Sequence, residues 1–184
     1  MSEEQIIKGC LKGENYARGK LYSCYADSLF YVCCRYAGNK ELAEDLLHDA
    51  FIKIFESIQK FQYRGKGSLQ AWMTKVTINV ALEYLRLETR SGLSNPEDLD
   101  KISNYSEPST EDVERIPHEI LMQFISELPT GYRTIFNLYC VEEYSHKEIA
   151  RMLGINEKSS SSQLFRAKTL LAKNITNYLA IKGE

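Results

Sequence analysis

The side chains that most often carry enzyme chemistry are few in this chain and widely separated. Its three histidines, His48, His118 and His146, stand in unrelated segments. The sequence has no G-x-S-x-G nucleophile turn, no phosphate-binding glycine loop and no metal-ligand spacing. It therefore predicts no catalytic residue, no metal site and no cofactor, and it argues against a hydrolase.

The cysteines also lack the spacing of a metal clamp or a redox pair. Their number is odd and none forms a C-x-x-C motif. We expect buried, reduced thiols, as in a cytosolic protein, because a thiol sensor would need an exposed cysteine of low pKa. The five are Cys10, Cys24, Cys33, Cys34 and Cys140.

Residues 61–68 are best suited to contact with nucleic acid. Their sequence is Phe-Gln-Tyr-Arg-Gly-Lys-Gly-Ser. Aromatic, basic and glycine residues interleaved in a loop can stack on and clamp unpaired bases. Tyr63 offers a ring, and Arg64 and Lys66 supply positive charge. A plain surface turn remains an equal alternative. The following helix adds the candidate contacts Trp72, Asn79 and Arg86.

A helix-turn-helix pattern occupies residues 145–168. Ser145 and Glu148 form a capping box, Gly154 suits a left-handed turn, and a second helix follows. The start of that second helix would enter a major groove, with Gln163 suited to adenine. Its candidate contacts are Ser159, Ser161, Ser162, Gln163, Arg166 and Lys168. The alternative is a surface helix whose serines serve solubility.

Two carboxylates mark a candidate protein-binding face. Asp45 and Asp49 are four residues apart and therefore share one side of a predicted helix. With the apolar neighbours Leu46 and Phe51, such a face suits a basic partner helix. A solvated acidic face is the alternative.

The elements that must position these residues are all predicted helices. Capping residues begin helices at Ser2, Asn15, Asn39 and Ser68, and Gly38 suits a helix end. Apolar residues are sparse and unperiodic in residues 92–116, which predicts a flexible linker. The fold class is therefore all-α, with two small helical domains, residues 1–91 and 117–184, and the helix-turn-helix in the second.

The charge distribution follows the same division into two domains and a linker. Residues 92–116 form the acidic segment, since residues 93–116 hold seven acidic and two basic side chains, while the flanking segments are near neutral. Any DNA affinity must come from local patches, as in a subunit that binds DNA only inside a larger complex. An acidic start and the absence of a long apolar run predict a cytoplasmic protein without membrane insertion.

In this order and spacing, the motifs resemble the extracytoplasmic-function group of bacterial sigma factors. The resemblance covers nearly the whole chain. It rests on four stretches: residues 43–51, 61–86, 128–133 and 144–167.

The resemblance implies a role for each segment. Asp45, Leu46, Asp49 and Phe51 would belong to the helix that binds the coiled coil of the largest core RNA polymerase subunit. The Tyr63–Ser68 loop and the following helix would recognise and open the minus-ten element, meeting duplex DNA and the unpaired non-template strand. The linker would run through the RNA exit path, and the Ser159–Lys168 helix would bind the minus-thirty-five element. An anti-sigma factor is a further implied partner.

Two residues depart from the family pattern. His48 stands where the family usually has glutamine, and Ser161 stands where many members have a basic residue. The competing hypothesis is a stand-alone helix-turn-helix regulator with a helical sensing domain. The acidic linker and the motifs of the first domain favour the sigma factor.

Overall fold

The computed structural model describes residues 1–90 and 108–182, with side chains described in residues 1–87 and 108–182. Every regular element in these ranges is helical, which confirms the prediction of an all-α chain. The chain divides into two compact units, residues 1–87 and 88–184. Each unit is described by itself below.

The first unit is built from four helices and one short turn of 3-10 helix. Their bounds are α1 Glu3–Leu11, α2 Asn15–Ala37, α3 Lys40–Ser57, the 3-10 turn Ile58–Lys60, and α4 Ser68–Arg90. The predicted capping box of Ser2 and Gln5 is present, and the Asn39 side chain accepts the backbone N–H of Leu42. Gly38 ends α2 at φ 80°, a left-handed conformation that glycine adopts without strain.

Packing of α1, α2, α3 and α4 forms the core of the first unit. Leu21, Leu29, Ile54, Leu69 and Met73 are completely buried there. Each such side chain contributes about 1.5–3 kcal/mol of hydrophobic stabilisation. The 61–67 loop connects the 3-10 turn to α4, and this core holds both of these elements in place.

In its described residues 108–182, the second unit forms five helices, two of which make up the predicted helix-turn-helix. They are α5 Thr110–Glu114, α6 His118–Ser126, α7 Thr130–Phe136 with a π-helical continuation Asn137–Val141, α8 His146–Leu153, and α9 Glu157–Lys182. Ser145 and Glu148 form the predicted capping box of α8. Gly154 turns the chain at φ 70°, as predicted.

A buried arginine joins α6 to α7. Arg133 is almost fully buried, and its Nη1 donates to the carbonyl oxygens of Ser126 (2.9 Å) and Leu128 (3.1 Å). These carbonyls lie at the C-terminal end of α6, where they lack partners within the helix. Arg133 therefore stabilises the corner that places Leu128 and Tyr132 against Ala167 of α9.

The linker prediction needs one correction. Of the predicted linker, residues 92–107 lie outside the described residues, but residues 110–114 form α5 and Ile116 is buried. Helix α5 has its own capping box, in which Ser109 and Asp112 exchange hydrogen bonds, and it contacts α9. The end of the predicted linker is thus part of the second unit.

Candidate nucleic-acid and protein interfaces

The loop before α4 presents its polar side chains to solvent. Tyr63, Arg64 and Lys66 are exposed, and Gly65 and Gly67 have φ values of 105° and 87°. Only glycine adopts such values readily, so the two glycines permit the sharp reversal of the chain. The predicted loop residues therefore lie together on one accessible segment.

A serine side chain closes this loop. The Ser68 Oγ donates to the carbonyl of Gly65 (2.6 Å) and accepts the backbone N–H of Arg64 (3.1 Å). Both bonds tie the loop to the first residue of α4. These bonds order the loop backbone at Arg64, and an ordered backbone loses less conformational entropy when the loop binds a partner.

The candidate contacts on α4 fall into two groups. Trp72 is half-buried and packs on Phe61, with ring centroids 5.1 Å apart, so the ring supports the base of the loop. Asn79 and Arg86 are exposed and seven residues apart on one helical face, with Lys75 beside them. This face can extend a path for a nucleic-acid strand from the loop.

On α3 the structure separates the four predicted protein contacts. Asp45 and Asp49 are exposed, whereas Leu46 and Phe51 are buried in the domain core. The two buried residues support the face from beneath and cannot touch a partner directly. Ile52, which is 46% exposed on the same face, was not among the predicted contacts.

A polar contact joins the two helices of the helix-turn-helix. The Nδ1 of His146 lies 2.9 Å from the Oγ of Ser160, which is completely buried. The His146 ring also stacks on Tyr139, with centroids 4.6 Å apart and an interplanar angle of 23°. The first residue of α8 therefore fixes the position of α9 next to the π-helical turn.

The predicted reader residues of α9 do not all point outward. Ser161, Ser162 and Lys168 are exposed, while Ser159 is half-buried and its backbone N–H donates to Asn156 Oδ1 at 2.7 Å. The remaining two predicted readers are Gln163 and Arg166, both half-buried.

Gln163 and Arg166 both lean toward α7. The Gln163 Oε1 lies over Gly131, where an added Cβ would be 2.8 Å away. The Arg166 Nη1 donates to the Tyr132 hydroxyl at 3.4 Å. Reading a base with Gln163 would require its flexible side chain to turn away from Gly131.

The outward face of α9 also carries a large aromatic residue. Phe165 is 68% exposed and stands near Ser161, Ser162 and Lys168 on the helix surface. Phe165 was not among the predicted contacts, although a large apolar residue on the polar face of an amphipathic helix is a signal that the sequence carries. A face of small hydroxyls, one aromatic ring and one lysine suits close approach to DNA.

The cysteines differ from the expectation of buried thiols. Cys10 and Cys33 are buried as predicted, but Cys24 and Cys140 are exposed. Desolvation raises the pKa of Cys33 to about 12 and also raises the pKa of Cys140. Raised pKa values disfavour the reactive thiolate, so neither of these two thiols is activated.

Within residues 1–90 and 108–182, no group of histidine, cysteine, aspartate and glutamate side chains could hold a metal ion. Nor does any helix there have the length and apolar character needed to cross a membrane.

Two family models match this chain. The model for Sigma-70 region 2 matches residues 21–91, and the model for Sigma-70, region 4 matches residues 118–171. The first match contains the α3 face, the loop and α4. The second contains the whole helix-turn-helix.

Three of the relatives that match this chain cover most of its length. The ECF RNA polymerase sigma factor SigW of Bacillus subtilis is 26% identical over 186 residues, covering 95% of this chain and 97% of the relative. SigM of the same organism is 26% identical, covering 83% and 91%. SigE of Mycolicibacterium smegmatis is 28% identical over 85% of this chain, which spans only 59% of that relative.

One solved structure supports the fold independently. The sigma factor RpoE of Bartonella quintana, solved in complex with the anti-sigma factor NepR, has a TM-score of 0.51 at 17% identity. The likeness covers 86% of this chain and 96% of the solved one. At this identity the likeness shows a shared helical fold.

Proposed function

Because the chain belongs to the extracytoplasmic-function group of bacterial sigma factors, we propose that its two units divide promoter recognition between them. A sigma factor binds core RNA polymerase and directs initiation at specific promoters. The observation that carries the proposal is the exposed, fixed 61–68 loop in one unit together with the exposed serine and aromatic face of α9 in the other.

The first unit docks on core polymerase through α3. Asp45 and Asp49 supply negative charge to a basic partner helix. Ile52, one turn further along α3 on the same face, supplies an exposed apolar contact. A small apolar centre flanked by charge is the usual composition of a protein interface. Leu46 and Phe51 act indirectly, by keeping this face in shape from the core.

The loop and α4 bind and open the minus-ten element. The Tyr63 ring stacks on an unpaired base, and Arg64 and Lys66 attract the phosphates of the non-template strand. Trp72 supports the loop from below, while Asn79 and Arg86 extend the path along α4. Stacking contributes about 1–3 kcal/mol per base, enough to shift a nearly balanced opening equilibrium by about five- to 150-fold.

The second unit reads the minus-thirty-five element with α9. Ser161, Ser162 and Lys168 meet phosphates and base edges, and the Phe165 ring packs on an apolar group such as a thymine methyl. Arg166, held by the Tyr132 hydroxyl, is directed at a phosphate. Gln163 takes part only after its side chain turns away from Gly131, and Ser159 lies half-buried beside this face.

An anti-sigma factor is the partner we propose for regulation. The solved relative RpoE was captured with one, and this chain shares its helical fold. We further propose that the protein works in the cytoplasm, where its polymerase and promoters are, without catalysing a reaction of its own.

Titration of labelled chain with core RNA polymerase tests the proposal. Saturable binding to core enzyme, together with weak and unspecific binding of the free chain to duplex DNA, is the expected result. A stand-alone helix-turn-helix regulator would behave in the opposite way, with specific duplex binding and no affinity for core polymerase.

A further inference from the structure

Two of the predicted readers on α9 rest against α7, a helix that precedes the helix-turn-helix. Gln163 and Arg166 are three residues apart and share one flank of α9. The Gln163 Oε1 lies over Gly131, and the Arg166 Nη1 donates to the hydroxyl of Tyr132 at 3.4 Å. This flank of α9 therefore meets two successive residues of α7.

Helix α7 is held firmly where it meets α9. The Tyr132 side chain is 2% exposed and packs with Leu128 against Ala167 of α9. The next residue, Arg133, is buried and donates to carbonyl oxygens at the end of α6. Because a packed core resists displacement of the backbone, a steric change at residue 131 acts on the side chain above it.

The position of the Gln163 side chain depends on residue 131 being glycine. Gly131 is exposed, and a Cβ added there would lie 2.8 Å from the Gln163 Oε1, too close for the two atoms to stay in place. The atom that must move is the far end of a flexible side chain, so a new rotamer relieves the clash. An alanine at residue 131 would thus displace the Gln163 side chain and leave α7 folded.

We propose that Gly131 is a specificity-determining residue, which withholds Gln163 from the minus-thirty-five element by giving its side chain a resting place on α7. The proposal rests on the assigned role of α9 in reading that element. A side chain that rests on α7 must leave before it binds a base, and this competing conformer weakens the contact. Promoter choice then depends mainly on the exposed face of α9.

Replacement of Gly131 by alanine is expected to add a base preference. The displaced Gln163 side chain is free to form two hydrogen bonds with adenine, the base that its amide group matches. A well-formed contact of this kind discriminates against other bases about fivefold or more. Gly131→Ala is therefore expected to prefer adenine at one position where the parent shows no such preference.

The test measures initiation by holoenzyme, formed from core polymerase and the full chain, on a promoter randomised through its minus-thirty-five element. Gly131→Ala combined with Gln163→Ala is expected to lose the new adenine preference, because the side chain that forms the contact is gone. Gln163→Ala alone is expected to change the parental preferences little. The control is Gly19→Ala in α2, an exposed helical glycine where an added Cβ meets no described atom within 4 Å.

A second measurement follows the side chain directly in the free protein. The NMR signals of the Gln163 side-chain amide are expected to move in Gly131→Ala, while the backbone signals of Leu164 and Ala167 in the core stay near their parental positions. The unfolding temperature is expected not to fall, since alanine favours a helix more than glycine does. A lower unfolding temperature with shifted signals throughout α9 would overturn the proposal, because the helix itself would then have moved.

The outcomes distinguish this proposal from the one on which it rests. Unchanged selectivity after replacement of Ser161, Ser162 and Lys168 by alanine would refute the reading role of α9. Selectivity that depends on these three residues, with parental preferences in Gly131→Ala, would refute only the role of Gly131. A new preference that persists in the double variant, or that also appears in the control variant, would overturn it as well, since displacement of Gln163 would then not be the cause.

Discussion

The Nδ1 of His146 lies 2.9 Å from the Oγ of Ser160, and this contact joins the two helices of the helix-turn-helix. His146→Ala is expected to destabilise the second unit by about 1–3 kcal/mol, because it leaves a buried hydroxyl without its partner. Hydrogen exchange of the α8 and α9 amides measures the loss. Ser161→Ala, at an exposed neighbouring position, is the control, and an equal effect there would contradict the account.

Charge reversal on α3 tests the docking face. Asp45→Lys with Asp49→Lys is expected to weaken binding to core polymerase at least about tenfold, because like charges then face each other. Thermal unfolding is expected to change little, since both residues are exposed. Asp27→Lys with Glu4→Lys makes the same charge change elsewhere on the first unit and is expected to leave affinity unchanged. Equal affinities for all three proteins would show that α3 is only a solvated face.

The exposed Phe165 ring on α9 leads to a prediction about which DNA base this helix recognises. If Phe165 packs on a thymine methyl, replacing that thymine with uracil costs about 0.8 kcal/mol, roughly fourfold in affinity. Phe165→Ala is expected to weaken initiation and to abolish the difference between the two bases at that position. Ile181→Ala removes another exposed apolar side chain from α9, 77% exposed, and serves as the control. A thymine preference that survives in Phe165→Ala would place the contact elsewhere.

Thiol reactivity checks the burial of the cysteines and its dependence on pH. Cys24 and Cys140 are expected to react with a thiol reagent in the folded protein, and Cys10 and Cys33 only after unfolding. Burial raises the pKa of Cys33 from 9.0 to about 12, so the folded state prefers the protonated thiol. This contribution to stability is complete below pH 9 and is lost as the pH rises toward about 12. Denaturant midpoints at neutral and alkaline pH should therefore differ less in Cys33→Ala than in the parent.

Features of the fold set by neighbouring residues were predictable from the sequence. Capping boxes at Ser2 and Ser145, and glycine turns at Gly38 and Gly154, depend on side chains within a few residues, and each is present. The capping box of Ser109 and Asp112 was equally local and equally readable. Its helix was missed because the surrounding proline, serine and acidic residues outweighed it in the linker prediction.

Features set by packing between helices were not predictable in this way. Gln163 lies over Gly131 of α7, and Arg166 donates to the hydroxyl of Tyr132 on the same helix. No residue near Gln163 or Arg166 in the sequence indicates these contacts. Leu46 and Phe51 are a different case, because they widen the apolar stripe of α3 that already indicates a buried face, and both are buried. The hydrogen bond between Tyr25 and Glu3 joins residues that are 22 positions apart, and no helical spacing pattern predicts it.

Initiation by reconstituted holoenzyme tests the central claim most directly. Core RNA polymerase is mixed with the chain on fragmented DNA of the source genome, and the 5′ ends of the transcripts are sequenced. The account predicts discrete start sites that share two elements at a fixed spacing and that are absent with core enzyme alone. Start sites identical to those of core enzyme alone would contradict the assignment of this chain as the promoter-recognising subunit.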